Sequence, residues 1–197
     1  MDGLDNPSGR TPKSIRSVRE VGTSEPKKVS YTLKYMPLWG KAEDFKDKNR
    51  ESFQWPAQGD LTKFTSGDVH LKELKLKSAL HDSKTGICSV RAVLSNGESS
   101  GDINVLGVES NIQGCLRMPD DPKQVKRAKN YADEHGVYNI YLMDKDGKDI
   151  CHYDPKKYTK LLGDEHTIEE HEEIIGVYGT HPRHGDQIFS SFGFIIL

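Results

Sequence analysis

Four stretches carry residue types that perform chemistry in other proteins. His181-Pro182-Arg183-His184 and the pair His166 and His171 offer imidazoles for a metal. A zinc site needs three or four ligands in a fixed set, and the chain has no His-Glu-x-x-His run to supply one. These histidines are expected on surface loops, with no metal bound. Cys151-His152 sets a nucleophile beside a base. Neighbours on one strand point to opposite faces, so the pair is not a dyad. Asp144-Lys145-Asp146-Gly147 opens like a calcium loop but lacks the closing Glu, and a hairpin turn accounts for it. No glycine-rich loop cradles a phosphate. The reading is a chain without catalytic residues or cofactor, and not an enzyme.

The totals agree with a modest core and much surface. The 197 residues are 34% hydrophobic and 29% charged, enough for one domain and an appendage. A net charge of -2 gives no reason to expect nucleic acid or an acidic membrane as partner. Cys88, Cys115 and Cys151 are odd in number and lack a CxxC pair, which points to reduced thiols. The opening MDGLDNPSGR has no apolar run of a signal peptide, and no stretch reaches membrane-spanning length. A soluble, cytoplasmic protein is expected.

The elements that must position these residues read as strands. Glu172–Leu197 holds two apolar runs, Ile174–Tyr178 and Phe192–Leu197, around a polar loop. Phe192, Phe194 and Ile196 face one way and Ile195 and Leu197 the other, so this strand belongs inside a sheet that the last residues close. VHLKELKLKSA changes its alternation phase near Lys72-Glu73, the mark of a bulged strand, with a helix as rival. Cys88, Val90, Ala92 and Leu94 alternate before Asn96-Gly97, a strong hairpin turn. Tyr138, Ile140 and Leu142 alternate before Asp146-Gly147, and Ile150–Tyr153 returns. Between these, Asp121-Pro122 followed by QVKRAKNYADEHG reads as one short amphipathic helix over about 122–135. Val125, Ala128 and Ala132 would form its inner face, and Lys123, Lys126, Arg127 and Lys129 its wet face. Three hairpins hint at threefold quasi-symmetry, and the class is all-β.

Residues 1–28 differ in kind. They hold Ser, Pro, Gly and basic residues and almost no large apolar side chain, so alone they cannot offset their ordering entropy. To Lys34 there are seven cations against four carboxylates, a net +3. The organisation expected is an extended arm, 1–28, before a folded domain, 29–197. Arg10, Lys13, Arg16, Arg19, Lys27 and Lys28 would meet other protein chains of a larger assembly, for which a cytoskeletal or axonemal setting would suit.

The domain resembles the jacalin-related family. The resemblance rests on PLWGKAEDFKD, on the order of GICSVRAVLSNGESSG and VYNIYLMDKDGKDICHYD, and above all on the closing EEIIGVYGTHPRHGDQIFSSFGFIIL. It implies a β-prism of three four-stranded antiparallel sheets about a pseudo-threefold axis, with the helix as an insertion. It also implies a sugar site at one end of the prism, at Trp39, Gly40, Gly179, Gly185, Asp186 and Ser190. In that family glycines let backbone N–H groups reach the sugar, and an Asp accepts two hydrogen bonds. Here Lys41-Ala42-Glu43 follows Gly40, and Ser190 stands in the place of the Asp. A neutral hydroxyl makes a bond roughly half as strong as a charge-assisted one. The site is therefore expected to be degenerate, with an interaction subunit as the leading function and a carbohydrate-binding lectin as the alternative.

Overall fold

The computed structural model describes residues 31–41, 50–57, 60–110, 112–157, 165–182 and 187–197. The proposed arm, residues 1–28, lies outside them. Tyr31–Leu197 form one unit. Its strands are β1 (Lys34–Tyr35), β2 (Trp39–Gly40), β3 (Arg50–Trp55), β4 (Leu71–His81), β5 (Lys84–Leu94), β6 (Ile103–Asn104) and β7 (Ile112–Arg117). They continue as β8 (Arg127–Asp133), β9 (Gly136–Met143), β10 (Asp149–Tyr153), β11 (His166–Thr167), β12 (Ile174–Pro182) and β13 (Ser191–Ile196).

Three antiparallel sheets result, and they share one plan. The second sheet runs β6-β5-β4-β7 and the third β10-β9-β8-β11. In each, the first two strands make a central hairpin, the third flanks the second, and the fourth returns beside the first. That is a Greek key. The first sheet repeats it with the chain cut differently. β12 and β13 are its central hairpin, and β1 with β2, then β3, arrive from the beginning of the described chain. β1 and β2 both pair with β13, on Ile195–Ile196 and Ser191–Phe192, so they act as one broken strand. The last strand is interior, as its two apolar faces require.

β4 carries the bulge read from the sequence. Leu71 pairs with Leu94 and Glu73 with Val93, leaving Lys72 as the extra residue. The alternation then buries Leu74 and Leu76 and turns Lys75 and Lys77 outward. The rival helix is excluded for this segment.

The helix expected over about 122–135 is not there. Asp121 caps a single 3-10 turn, Pro122–Gln124, by accepting from Lys123 N at 3.0 Å. Val125 is already extended, and Arg127–Asp133 is a strand paired with β9. Ala128 and Asn130 are buried at strand spacing. Helix-favouring Lys, Arg and Ala are overridden because β9, rich in Tyr, Ile and Leu, needs a partner on this edge. Gly136 opens β9 and does not end a helix. The wet-face cations disperse, with Lys126 Nζ donating to the carbonyls of Glu169 and Glu170. The one short α-helix among the described residues, α1, is Thr62–Thr65.

The turns also differ from expectation. Asn96-Gly97 does turn, with Gly97 N donating to Leu94 O at 3.0 Å. Yet the central partner of β5 is β4, joined through Asp82 and Ser83, both at positive φ (44° and 68°). This is the geometry of a tight hairpin turn without its usual Asn-Gly.

The tips of the three central hairpins meet around one side chain. Ile188, fully buried, lies so close to Gly86 of β5 and Gly136 of β9 that a Cβ at either would come within 2.6 Å of it. Phe189 N donates to Ile87 O at 2.7 Å in the same junction. Tyr153 ties the second and third sheets, its ring against Gly114 and its hydroxyl 2.7 Å from Ser78 Oγ. Phe192, Phe194, Leu76, Leu116, Ile140 and Leu142 fill the space enclosed by the sheets. Among the described residues no helix is long and apolar enough to cross a membrane.

Candidate functional site

Four of the six positions that the resemblance marks for a sugar converge at one end of the first sheet. Gly40 pairs with Ser191, and Gly179 pairs with Phe192. Gly185 and Asp186 lie outside the described residues, as do Ala42, Glu43, Arg183 and His184.

The four that are described are engaged in packing. Trp39 is 3% exposed, stacked on His166 at 5.3 Å between ring centres and edge-on to Phe194 at 5.7 Å. Gly40 has φ +84° and lies directly against the Ser190 carbonyl, where no side chain fits. That carbonyl accepts from Lys41 N at 2.9 Å, while Ser190 N donates to Thr180 O at 3.0 Å. Ser190 is 1% exposed. Gly179 is pressed by the Ser191 carbonyl and the Phe53 ring. Close approach of backbone to backbone is what these glycines provide here. Beside them Thr180 and Ser191 share a buried hydroxyl–hydroxyl bond of 2.8 Å.

His181 is not the loop histidine that the sequence implied. It is the penultimate residue of β12, 7% exposed, stacked on Phe53 at 6.3 Å, with Nε2 3.8 Å from Glu51 Oε2. Sequence reasoning missed this Glu51–His181 pair. The signal available for it was the shared phase of Glu51 and Phe53, two residues apart on β3. His166 lies in β11 against Trp39 and is not on a surface loop. Among the described residues no three metal-ligating side chains gather.

The remaining candidates are placed as follows. Cys151 and His152 sit on opposite faces of β10, and burial pushes the Cys151 thiol up to about 12, so it stays protonated. His152 Nδ1 lies 2.6 Å from Asp149 Oδ2, and its ring stacks on Tyr141. Asp144 Oδ1 accepts from the N–H groups of Asp146 and Lys148, each at 2.9 Å, so the calcium-like run is the turn between β9 and β10. At the far end of the first sheet Glu172 pairs with Lys34. Burial alone would raise the Glu172 carboxyl, but Lys34 and the Glu169 N–H more than offset it and hold it below its ordinary value.

With this geometry in hand, the likeness to known proteins is one of fold. No family model matches the chain, and a comparison with curated protein sequences finds no match. Among solved structures, single-chain recombinant jacalin aligns with a TM-score of 0.53 at 16% identity, over 86% of this chain and 97% of that one. A mannose-specific jacalin-related lectin from Morus nigra in complex with mannose aligns at 0.51 and 13% identity, over 88% and 99%. PirB aligns at 0.53 and 10% identity, and the chain spans only 39% of PirB's length. The chain has the jacalin-like β-prism fold. At these identities the likeness defines the scaffold alone.

Proposed function

We infer that this chain is a non-enzymatic interaction module, a lectin-like prism that serves as a rigid block within a larger protein assembly. Its N-terminal segment is the docking arm, reaching partner chains through Arg10, Lys13, Arg16, Arg19, Lys27 and Lys28. The observation that carries the reading is Ser190. The residue in the place of the acceptor Asp is neutral, buried, and held on both backbone sides by Lys41 and Thr180. A buried hydroxyl cannot offer a sugar the two charge-assisted bonds that a carboxylate would. Such a block would suit a cytoplasmic, cytoskeletal or axonemal setting.

The second reading is a carbohydrate-binding lectin. What favours it is the fold shared with the Morus nigra lectin, whose structure holds mannose, together with Asp186 in the adjoining segment. A glycan array run with wild type and with Asp186→Ala separates the two. No dose-dependent binding is expected, and Asp186-sensitive binding would reverse the ranking. In a pull-down, deletion of residues 1–28 is expected to strip partners from the prism; unchanged capture would end the arm proposal.

A further inference from the structure

The outer face of the second sheet gathers cations from three adjacent strands. Across β5, β4 and β7 the register sets Arg91 beside Lys75 beside Cys115, and Glu73 beside Arg117, with Lys77 in the next row. A groove of about 480 Å³ follows this face. It runs into a second cavity of about 640 Å³ around Lys72, His70 and Pro119, and the two share Glu73 and Arg117. The five cations Lys72, Lys75, Lys77, Arg91 and Arg117 therefore line one continuous depression. Three carboxylates accompany them, so the tract carries +2 on a chain whose net charge is -2.

Of the three, Asp102 and Glu73 are each shared between two cations, and together with Asp120 they do not saturate the tract. Asp102 meets Arg91 at 2.6 Å and Lys77 at 3.5 Å; Glu73 meets Lys75 at 3.5 Å and Arg117 at 3.7 Å. Arg91 holds the Asp102 carboxyl below its ordinary value, and the Cys115 thiol, donating at 3.1 Å, helps do the same for Glu73. Both therefore stay ionised. Lys72, pushed out by the bulge, has no ion pair among the described residues.

The geometry points to this groove as the docking site for an extended acidic segment of a partner protein. Lys72 to Lys77 spans roughly 17 Å of strand, the reach of about five extended residues. A peptide with Asp or Glu at alternate positions would place its carboxylates on the cations and offer backbone N–H groups to Glu73 and Asp102. A nucleic acid fits less well, because its phosphates form an unbroken negative row and would meet those two fixed carboxylates. The inference rests on the interaction-module reading and names its partner chemistry.

The test uses the full chain and a fluorescein-labelled peptide of alternating glutamate and serine, with a glutamine-for-glutamate control, followed by anisotropy. The glutamate peptide is expected to bind, more weakly as salt rises, and the glutamine peptide not at all. Lys72→Gln/Lys75→Gln/Lys77→Gln is expected to weaken binding about tenfold, while Lys145→Gln/Lys148→Gln on the third sheet's turn leaves it unchanged. Lys75→Gln/Arg117→Gln, on exposed side chains, provides a second variant should the triple change unfold the protein. Equal binding by either groove variant, or by the glutamine peptide, overturns the proposal. So does tighter binding of oligothymidylate or heparin that displaces the peptide. A positive glycan array beside normal peptide binding would overturn the interaction-module reading and leave the groove standing.

Discussion

The corner of the first sheet at Gly40 and Ser190 and the outer face of the second sheet have opposite designs. At the corner Thr180, Ser190 and Ser191 are buried, the Ser190 backbone bonds Lys41 and Thr180, the two neighbouring hydroxyls bond each other, and glycines let strands touch. On the face, charged side chains outnumber their partners and stand along an open groove. Both come from the same Greek key repeated in the prism. What differs is the residues placed side by side: Gly40, Thr180 and Ser191 at the corner of one sheet, Lys75, Arg91, Glu73 and Arg117 on the face of the other. A repeated scaffold can thus close one surface and open another without altering its core.

The contrast breaks most sharply at Gly40. Gly40→Ala would need a positive φ from a residue that resists it and would drive Cβ into the Ser190 carbonyl. A loss of about 2–4 kcal/mol is expected, read as a lowered urea midpoint. Next is the junction of the hairpin tips. Gly86→Ala crowds Ile188 and should cost about 1–3 kcal/mol, whereas Gly86→Ala with Ile188→Ala should show favourable coupling in a double-mutant cycle. Purely additive losses would mean that Ile188 is not the obstacle.

A smaller effect is set by pH. Glu172 has its carboxyl depressed in the folded chain, so its contribution is fully present above the ordinary value of 4.5 and is lost as pH falls through the lower folded value. Stability followed from pH 6 downward should fall in that window, and Lys34→Ala should flatten part of the drop. The smallest effect belongs to the groove. Lys75→Gln and Lys77→Gln should each change stability by no more than about 0.5 kcal/mol, since outward lysines on a sheet face support little of the fold.

Much of this fold was legible because strands announce themselves by alternation. Phe192–Leu197, the shift of phase at Lys72, and Asp146-Gly147 all carried local signals that the sheets kept. Residues 122–135 failed because their signal was also local, while their state is decided by β9, to which they must pair. Asp82-Ser83 was missed since a two-residue turn imposed by long flanking strands tolerates residues that do not favour it. At the site, Trp39, Gly40, Gly179 and Ser190 were found by resemblance and do come together. His181 and Glu51 were not read as a pair, because strand register across β3 and β12 joins residues 130 positions apart.

The most direct measurement is an amide NMR titration of the full chain with mannose and with galactose. If the lectin mouth has become packed backbone, the resonances of Gly40, Lys41, Ser190 and Ser191 should stay in place throughout. Saturable shifts confined to those residues would mean that the corner still holds a sugar.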